Sequence, residues 1–258
     1  MHSLLPTPPD GTPPSALSDD DLAGVYAYPD SLTRPWIQAN FVSSADGAAT
    51  VAGVSEALSH PADRRVFLLG RELADVVLVG AGTVRAEDYR GVRATGRRRE
   101  RRLAAGLTPV PPIAVVSARC AIDPGSRLLT DTEVPPIVLT TASAPQARRR
   151  ALTAAGADVV VLGERVAAPS AIVDELARRR LFRVDCEGGP GLFGGLVAAD
   201  LVDQLCLTVS PVLAGAGPGR IVSGVHGGAA VDPRRMELAS LLHEDGYTMF
   251  RYRRTGGR

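Results

Sequence analysis

The chain has 258 residues, 45% hydrophobic and 22% charged, with a formal net charge of +1. That is enough apolar material for one full core, and it offers no global field that would select nucleic acid or an anionic membrane. All 29 basic residues are arginine, so lysine Schiff-base chemistry, which needs a primary amine, is excluded. The three cysteines, Cys120, Cys186 and Cys206, are far apart and form no C-x-x-C pair. A sparse, odd set argues against a disulfide framework and a structural zinc site, and suits a reducing cytoplasm. There is no basic leader followed by an apolar run, and no stretch of about 18 uninterrupted apolar residues. The expectation is a protein that is neither exported nor membrane-embedded and needs no metal.

In chain order, residues 1–33 are rich in Pro, Asp and Ser, with Pro6, Pro8, Pro9, Pro13 and Pro14 close together. This composition predicts a flexible arm with one short helix near 18–23, capped by Ser18; a single domain is expected over 34–258. Residues 36–42 read as a first strand. Residues 61–73 have helical spacing, with Val66, Leu69 and Leu73 on one face. The wholly apolar run 76–79 is typical of a strand covered on both faces. Further strands are expected at 113–116, 137–139, 159–162, 182–186 and 204–209, helices at 144–155, 170–179 and 192–201, and a final edge strand at 249–253. The arginine run 97–102 reads as a solvated loop or helix face rather than a nucleic-acid patch. Short apolar strands alternating with helices predict a largely parallel sheet with helices on both faces. Ligands bind such sheets beyond the carboxyl ends of the strands.

The strongest local signal is FRVDCEGGPGLFGGL, residues 182–196, where a strand runs through glycines into a helix. Gly189, Gly191 and Gly194 spell G-x-G-x-x-G. Glycines let the backbone approach a pyrophosphate, and the free N–H groups of a helix start favour an anion. A Rossmann site should also carry an acid about 20 residues on. Here the next strand ends in Thr208, Val209 and Ser210, so an ordinary Rossmann NAD site is not expected; a plain strand–helix turn packed with glycines is the alternative. Glu187, at the end of that strand, could orient a substrate amide, donate a proton, or simply cap the turn in solvent. In VVLVGAGTVRAEDYRGVR, residues 76–93, a buried strand again opens through Gly80 and Gly82 to a helix start, with Thr83 a capping hydroxyl or a phosphate ligand. Asp88, Arg90 and Arg93 follow. Asp46-Gly47 is first of all a turn signal.

Together these segments resemble the reductase half of the bifunctional riboflavin-biosynthesis deaminase/reductase family, within the dihydrofolate-reductase-like superfamily. The resemblance covers roughly 34–254. It rests on RPW and the Ser44-x-Asp46-Gly47 turn, then Gly53, Ser55 and the helix carrying Arg71. Next comes Ala74-Asp75 before the strand, Gly80, Thr83 and the acid pair Glu87-Asp88. Glu187 to Pro190 follows, and then Leu201-Val202-Asp203 with Pro211, Leu213, Gly215 and Gly217.

The resemblance implies a three-layer α/β/α fold with a mostly parallel, mixed sheet. It implies an NADPH-dependent enzyme that reduces the ribosyl moiety of 5-amino-6-(5-phosphoribosylamino)uracil to the ribityl form. Cofactor contacts are expected at Gly80, Thr83, Asp88, Ser117, Arg119, Gly188, Gly189, Gly191 and Leu192, with Arg119 neutralising a 2′-phosphate. Substrate contacts are expected at Ser55, Arg71, Arg93 and Glu187, and Glu187 and Asp46 are the candidate catalytic acids. A homodimer through the sheet edge and its final strands is also implied. The deaminase signatures H-x-E and P-C-x-x-C are absent from the chain, so deamination is not expected. Glu56-Ala57 stands where the family often has an aromatic residue, which opens the pocket. Two other readings remain open. One is dihydrofolate-reductase activity, which needs an acid beside the pterin ring, with Asp63, Asp46 and Glu187 as candidates. The other is a non-catalytic NADP-binding protein.

Overall fold

A ten-stranded mixed sheet runs through the molecule in the order β1-β9-β10-β8-β2-β7-β3-β4-β5-β6. The computed structural model describes residues 1–5, 16–94, 96–217, 219–223 and 233–256. The parallel part contains β2 (Trp36–Ser44), β3 (Val76–Gly80), β4 (Ile113–Val116), β5 (Ile137–Thr140), β6 (Asp158–Val161), β7 (Arg183–Cys186) and β8 (Gln204–Ser210). The strands β1 (His2–Leu5), β9 (Met236–Glu244) and β10 (Tyr247–Arg254) add to it antiparallel.

Strand alternation sorts the side chains into two faces. On one face, Ile37, Ala39, Val76, Leu78, Val184 and Cys186 pack under α7 (Pro169–Arg178) and α8 (Pro190–Ala198). On the other, Val77, Val79, Val115 and Val138 meet α3 (Ala81–Ala86), α5 (Arg127–Thr130) and α6 (Gln146–Ala154). There too, Cys206, Leu242 and Met249 meet α1 (Asp19–Tyr26) and α2 (Pro61–Leu73). This is the three-layer α/β/α arrangement expected. Among the described residues, no helix is long and apolar enough to cross a membrane.

Within the segment 1–33, Met1, Leu22 and Tyr26 are buried against Ala62, Val66 and Leu69 of α2, and β1 pairs with β9. Two expectations, on the final strand and on the arginine run, are corrected. The proline-rich composition belongs to residues 6–14; residues 6–15 lie outside the described residues. Ser18 does cap α1, its hydroxyl accepting from the Asp21 amide. The final strand β10 is interior, because β9 hairpins onto it and β1 lies beyond. The arginine run forms α4 (Arg97–Ala104), and solvation holds for Arg97, Arg98 and Arg99 but fails for Arg102, which is 1% exposed. Its guanidinium donates to the carbonyls of Arg71, Glu72 and Ala74. These lie at the end of α2, where a helix leaves carbonyls without intrahelical partners. Residue 102 therefore anchors the helix end that carries Arg71.

Smaller shifts have local causes. The last expected helix begins at Pro190 rather than Leu192, since proline's fixed φ and missing N–H suit the first helical position. Thr83 is not a cap: Gly80 takes that position, leaving Thr83 one turn inside α3.

Candidate active site

The adjacent strands β3, ending at Gly80, and β7, followed after Cys186 by Glu187, Gly188 and Gly189, have loops that touch. The Gly80 amide donates to the Gly188 carbonyl at 2.7 Å. A Cβ on Gly189 would lie 2.5 Å from the Thr83 hydroxyl oxygen, so any larger residue there would have to displace that hydroxyl. Gly188 has φ +81° and sits against the Phe41 ring. Gly189 caps α8 with no side-chain bond, which leaves the first amides of that helix open to an anion.

Gly80, Thr83, Gly189, Gly191 and Leu192 line one cavity of about 1660 Å³. Asp88, Ser117, Arg119, Ser55, Arg71, Arg93 and Glu187 line it too. Single-ligand pockets run to roughly 300–1,000 Å³, so this one has room for a dinucleotide and a substrate together. Gly188 is not in its wall; it serves the contact between the loops.

At the centre stands Glu187, whose side chain is 1% exposed. Its carboxylate accepts from Arg71 Nε at 2.5 Å and Arg71 Nη2 at 2.7 Å, and from the Tyr89 hydroxyl at 2.7 Å. The Arg71 guanidinium lies 4.4 Å from the Phe67 ring centroid and 5.3 Å from that of Tyr89, both within cation–π range. Burial works against the Arg71 charge, and Glu187 more than restores it. Burial, then the charge of Glu187, pushes the Tyr89 phenol well above its usual range, which keeps it a donor.

Beneath this group, on the same face of β7, Asp185 is fully buried with neither carboxyl oxygen hydrogen-bonded. Burial and then Glu187 push its pKa well up, as expected for an acid denied donors. A Cβ on Gly70 would lie 2.7 Å from it, so α2 can rest on β7 only through a glycine.

The other expected residues have partners that fix them in place. Ser55 donates through its amide and its hydroxyl to Glu87 at 2.8 and 2.9 Å. Arg93 pairs with Asp131, and Asp88 with Arg127 at 3.0 Å. The Ser117 hydroxyl accepts from the Ala121 amide. Asp46 does not join the cavity wall. Its carboxylate accepts from the Ser44 hydroxyl and from the Ala214 and Gly215 amides, which hold it down to about pKa 2. It latches the loop after β8.

Sequence reasoning missed Tyr89, Phe67, Asn40 and Asp185. Tyr89 lay inside a segment already singled out, but nothing in its local spacing announces a partner 98 residues away.

A sequence family described as RibD C-terminal domain matches residues 35–245. The chain is 31% identical over 183 residues to the 2,5-diamino-6-ribosylamino-4(3H)-pyrimidinone 5′-phosphate reductase of Archaeoglobus fulgidus, covering 70% of this chain and 83% of that protein. The protein of that name from Methanothermobacter thermautotrophicus is 32% identical over 207 residues, covering 80% and 91%. The riboflavin biosynthesis protein RibD of Mycobacterium tuberculosis is 30% identical over 193 residues, 74% of this chain but 46% of that longer protein. Among solved structures, a pyrimidine reductase-like protein from Corynebacterium diphtheriae superposes with TM-score 0.82 at 24% identity, covering 93% of this chain and all of that one. At that identity the likeness speaks for the fold. The family match spans most of the chain, and this protein belongs to the RibD C-terminal domain family.

Proposed function

We propose that the chain is a reductase of riboflavin biosynthesis that uses NADPH to convert the ribosyl moiety of a phosphoribosylamino-pyrimidine to its ribityl form. The observation that carries this reading is the contact of the glycine loops after β3 and β7 over one cavity large enough for two ligands. The names of the curated relatives agree with it.

The residues present fit a dinucleotide. Close backbone approach at Gly80 and Gly189 and the open start of α8 suit a pyrophosphate. Arg119 and Arg165, on loops stitched together through Ala118–Thr141 and Ser143–Glu164 bonds, suit a ribose phosphate and so favour NADPH over NADH. A bound reduced nicotinamide supplies the hydride. The chain's part is to align the acceptor carbon and fix the surrounding charge. Glu187 holds Arg71 and Tyr89 in one orientation, and Arg71 and Arg93 hold the anionic end of the substrate. Asp46, spent on the 214–215 loop, positions that loop and does not react.

A second copy is the proposed partner. Phe250 pairs with Leu241 and Tyr252 with Leu238 across β9 and β10, and all four are partly exposed on the face away from α1 and α2. Three buried free thiols suit a reducing cytoplasm.

The pterin alternative has one support, the buried Asp63 carboxyl in the cavity wall. Steady-state assays with NADPH and NADH on phosphoribosylamino-pyrimidines and on dihydrofolate test all readings. NADPH oxidation with the pyrimidines and a background rate with dihydrofolate is the expected result. Cofactor binding without turnover of any pyrimidine would replace this reading with a non-catalytic one.

A further inference from the structure

The proposed reduction consumes a proton as well as a hydride. C1′ of the ribosyl group gains the hydride, the C1′–O4′ bond breaks, and O4′ takes up H⁺. Few groups in the cavity wall can give that proton. Arg71 cannot be deprotonated. The Tyr89 phenol is committed to Glu187 as a donor, and Asp63 stands about two turns of α2 away from Arg71. Glu187 reaches the cavity from the middle of the group, but its carboxylate is ion-paired and has to be given a proton before it can pass one on.

Asp185 is placed to hold that proton. It is fully buried, and neither carboxyl oxygen has a hydrogen-bond donor. Gly70 brings the α2 backbone over it and puts no side chain there that could donate. In register beside it are Val77 of β3 and Gln38 of β2, whose side-chain oxygen already accepts from Gln204. The charged and titratable groups around it are Arg183 and Glu187 on the same face of β7, Cys186 between them, Arg71 of α2, Cys206 of β8, Tyr28 and Tyr89. The cation that bears on it is Arg71, which is tied to Glu187. A buried carboxylate without donors costs so much that the group takes a proton instead. Burial, then the charge of Glu187, pushes Asp185 the same way. A neutral carboxyl has one O–H to donate. Residues 185 and 187 share a face of β7 with their Cα atoms about 6–7 Å apart. The acceptor along that face is the Glu187 carboxylate, reached directly or through one water.

Resting on the proposed reductase reading, we infer that Asp185 and Glu187 hold one proton between them, and that it passes from Asp185 through Glu187 to O4′ as the hydride arrives. Asp185 acts through Glu187 and does not touch the substrate. Its O–H bond breaks, an O–H bond to O4′ forms, and the electron pair of the C1′–O4′ bond stays on O4′. Both carboxyls are then ionised beside Arg71, and the pair takes its proton back from solvent once the product has left.

The test has a spectroscopic and a kinetic arm. Infrared spectra of the ligand-free protein at neutral pH should show the carbonyl stretch of a protonated carboxylic acid, lost in Asp185→Asn. In Glu187→Gln the band should remain but move, because its O–H then meets an amide in place of an ion. This arm needs no turnover, so it decides the shared proton even where the reductase reading fails. In the kinetic arm, kcat is followed against pH with saturating NADPH and a phosphoribosylamino-pyrimidine. The parent should be level through neutral pH. Asp185→Asn should be at least tenfold slower at neutral pH and lose about tenfold more with each further pH unit, since the proton must then come from solvent. NADPH affinity by fluorescence titration should stay within twofold. Asp185→Ala, which carries no polar group to bury, should show the same profile should the first variant fold poorly. Absence of the acid band in the parent, or its failure to move in Glu187→Gln, overturns the inference. So does a kcat that keeps the parent's pH profile in both Asp185 variants, whether at full rate or lowered evenly as a merely structural role would give.

Discussion

Replacing Glu187 by glutamine removes the charge to which Arg71 is tied and leaves the rest of the site in place. The pair is well enclosed, with side-chain exposures of 15% for Arg71 and 1% for Glu187. Three donors converge on the carboxylate at 2.5, 2.7 and 2.7 Å. Breaking a buried pair costs about 3–5 kcal/mol because the remaining charge is stranded. Glutamine keeps one acceptor, so the low end, about 3 kcal/mol, is expected. For a chain of this size, each kcal/mol moves Tm by about 2–4 °C, so thermal unfolding should shift down by roughly 6–12 °C. Turnover should fall about a hundredfold, ~2.7 kcal/mol in the barrier, because Arg71 and Tyr89 lose their common anchor. NADPH affinity, read by fluorescence titration, should change less than twofold, since the cofactor loops do not touch this carboxylate. A double-mutant cycle with Arg71→Met should return a coupling of about 2 kcal/mol. A Tm within 2 °C of the parent together with unchanged kcat would refute the reasoning, because the pair would then contribute neither stability nor alignment.

Two further outcomes are expected. Gly189→Ala should weaken NADPH binding tenfold or more, about 1.4 kcal/mol, since its Cβ would meet the Thr83 hydroxyl at 2.5 Å but the Thr83 Cβ only at 3.9 Å. Adding Thr83→Ala should recover part of that loss, and a lone Gly189→Ala that binds normally would make the loop contact incidental. Burial pushes the thiols of Cys186 and Cys206 up to about 12. The unfolded chain ionises them near pH 8.5 while the native chain keeps its protons. Unfolding free energy should therefore drop as pH rises from about 9 towards 12, and native protein should resist alkylation at neutral pH. Rapid labelling of Cys186 or Cys206 in the native state would contradict their burial.

Several features could be read before any fold was known, because they depend on neighbours in sequence. Short, largely apolar segments announced the parallel strands, most plainly 76–79, since strands covered on both faces read as near-continuous apolar runs. The strand–glycine–helix turns announced where an anion could approach, and the ordered motifs announced the family. Ser18 announced the cap of α1. The tertiary structure alone decided what depends on distant partners. Glu187 and Arg71 are 116 residues apart, and the bonds that engage the Glu187 carboxylate appear only when α2 lies on β7 through Gly70. The partners of Asp46, the Ala214 and Gly215 amides of the loop after β8, lie 168 and 169 residues away and could not be read from its neighbours in sequence. Arg102 looked solvated until the open carbonyls of α2 were found around its guanidinium. The last strand looked like an edge because pairing order is a property of the whole sheet, not of any one strand. Local pattern specifies what an element is; which polar group is free to do chemistry depends on what the rest of the chain has already bound to it.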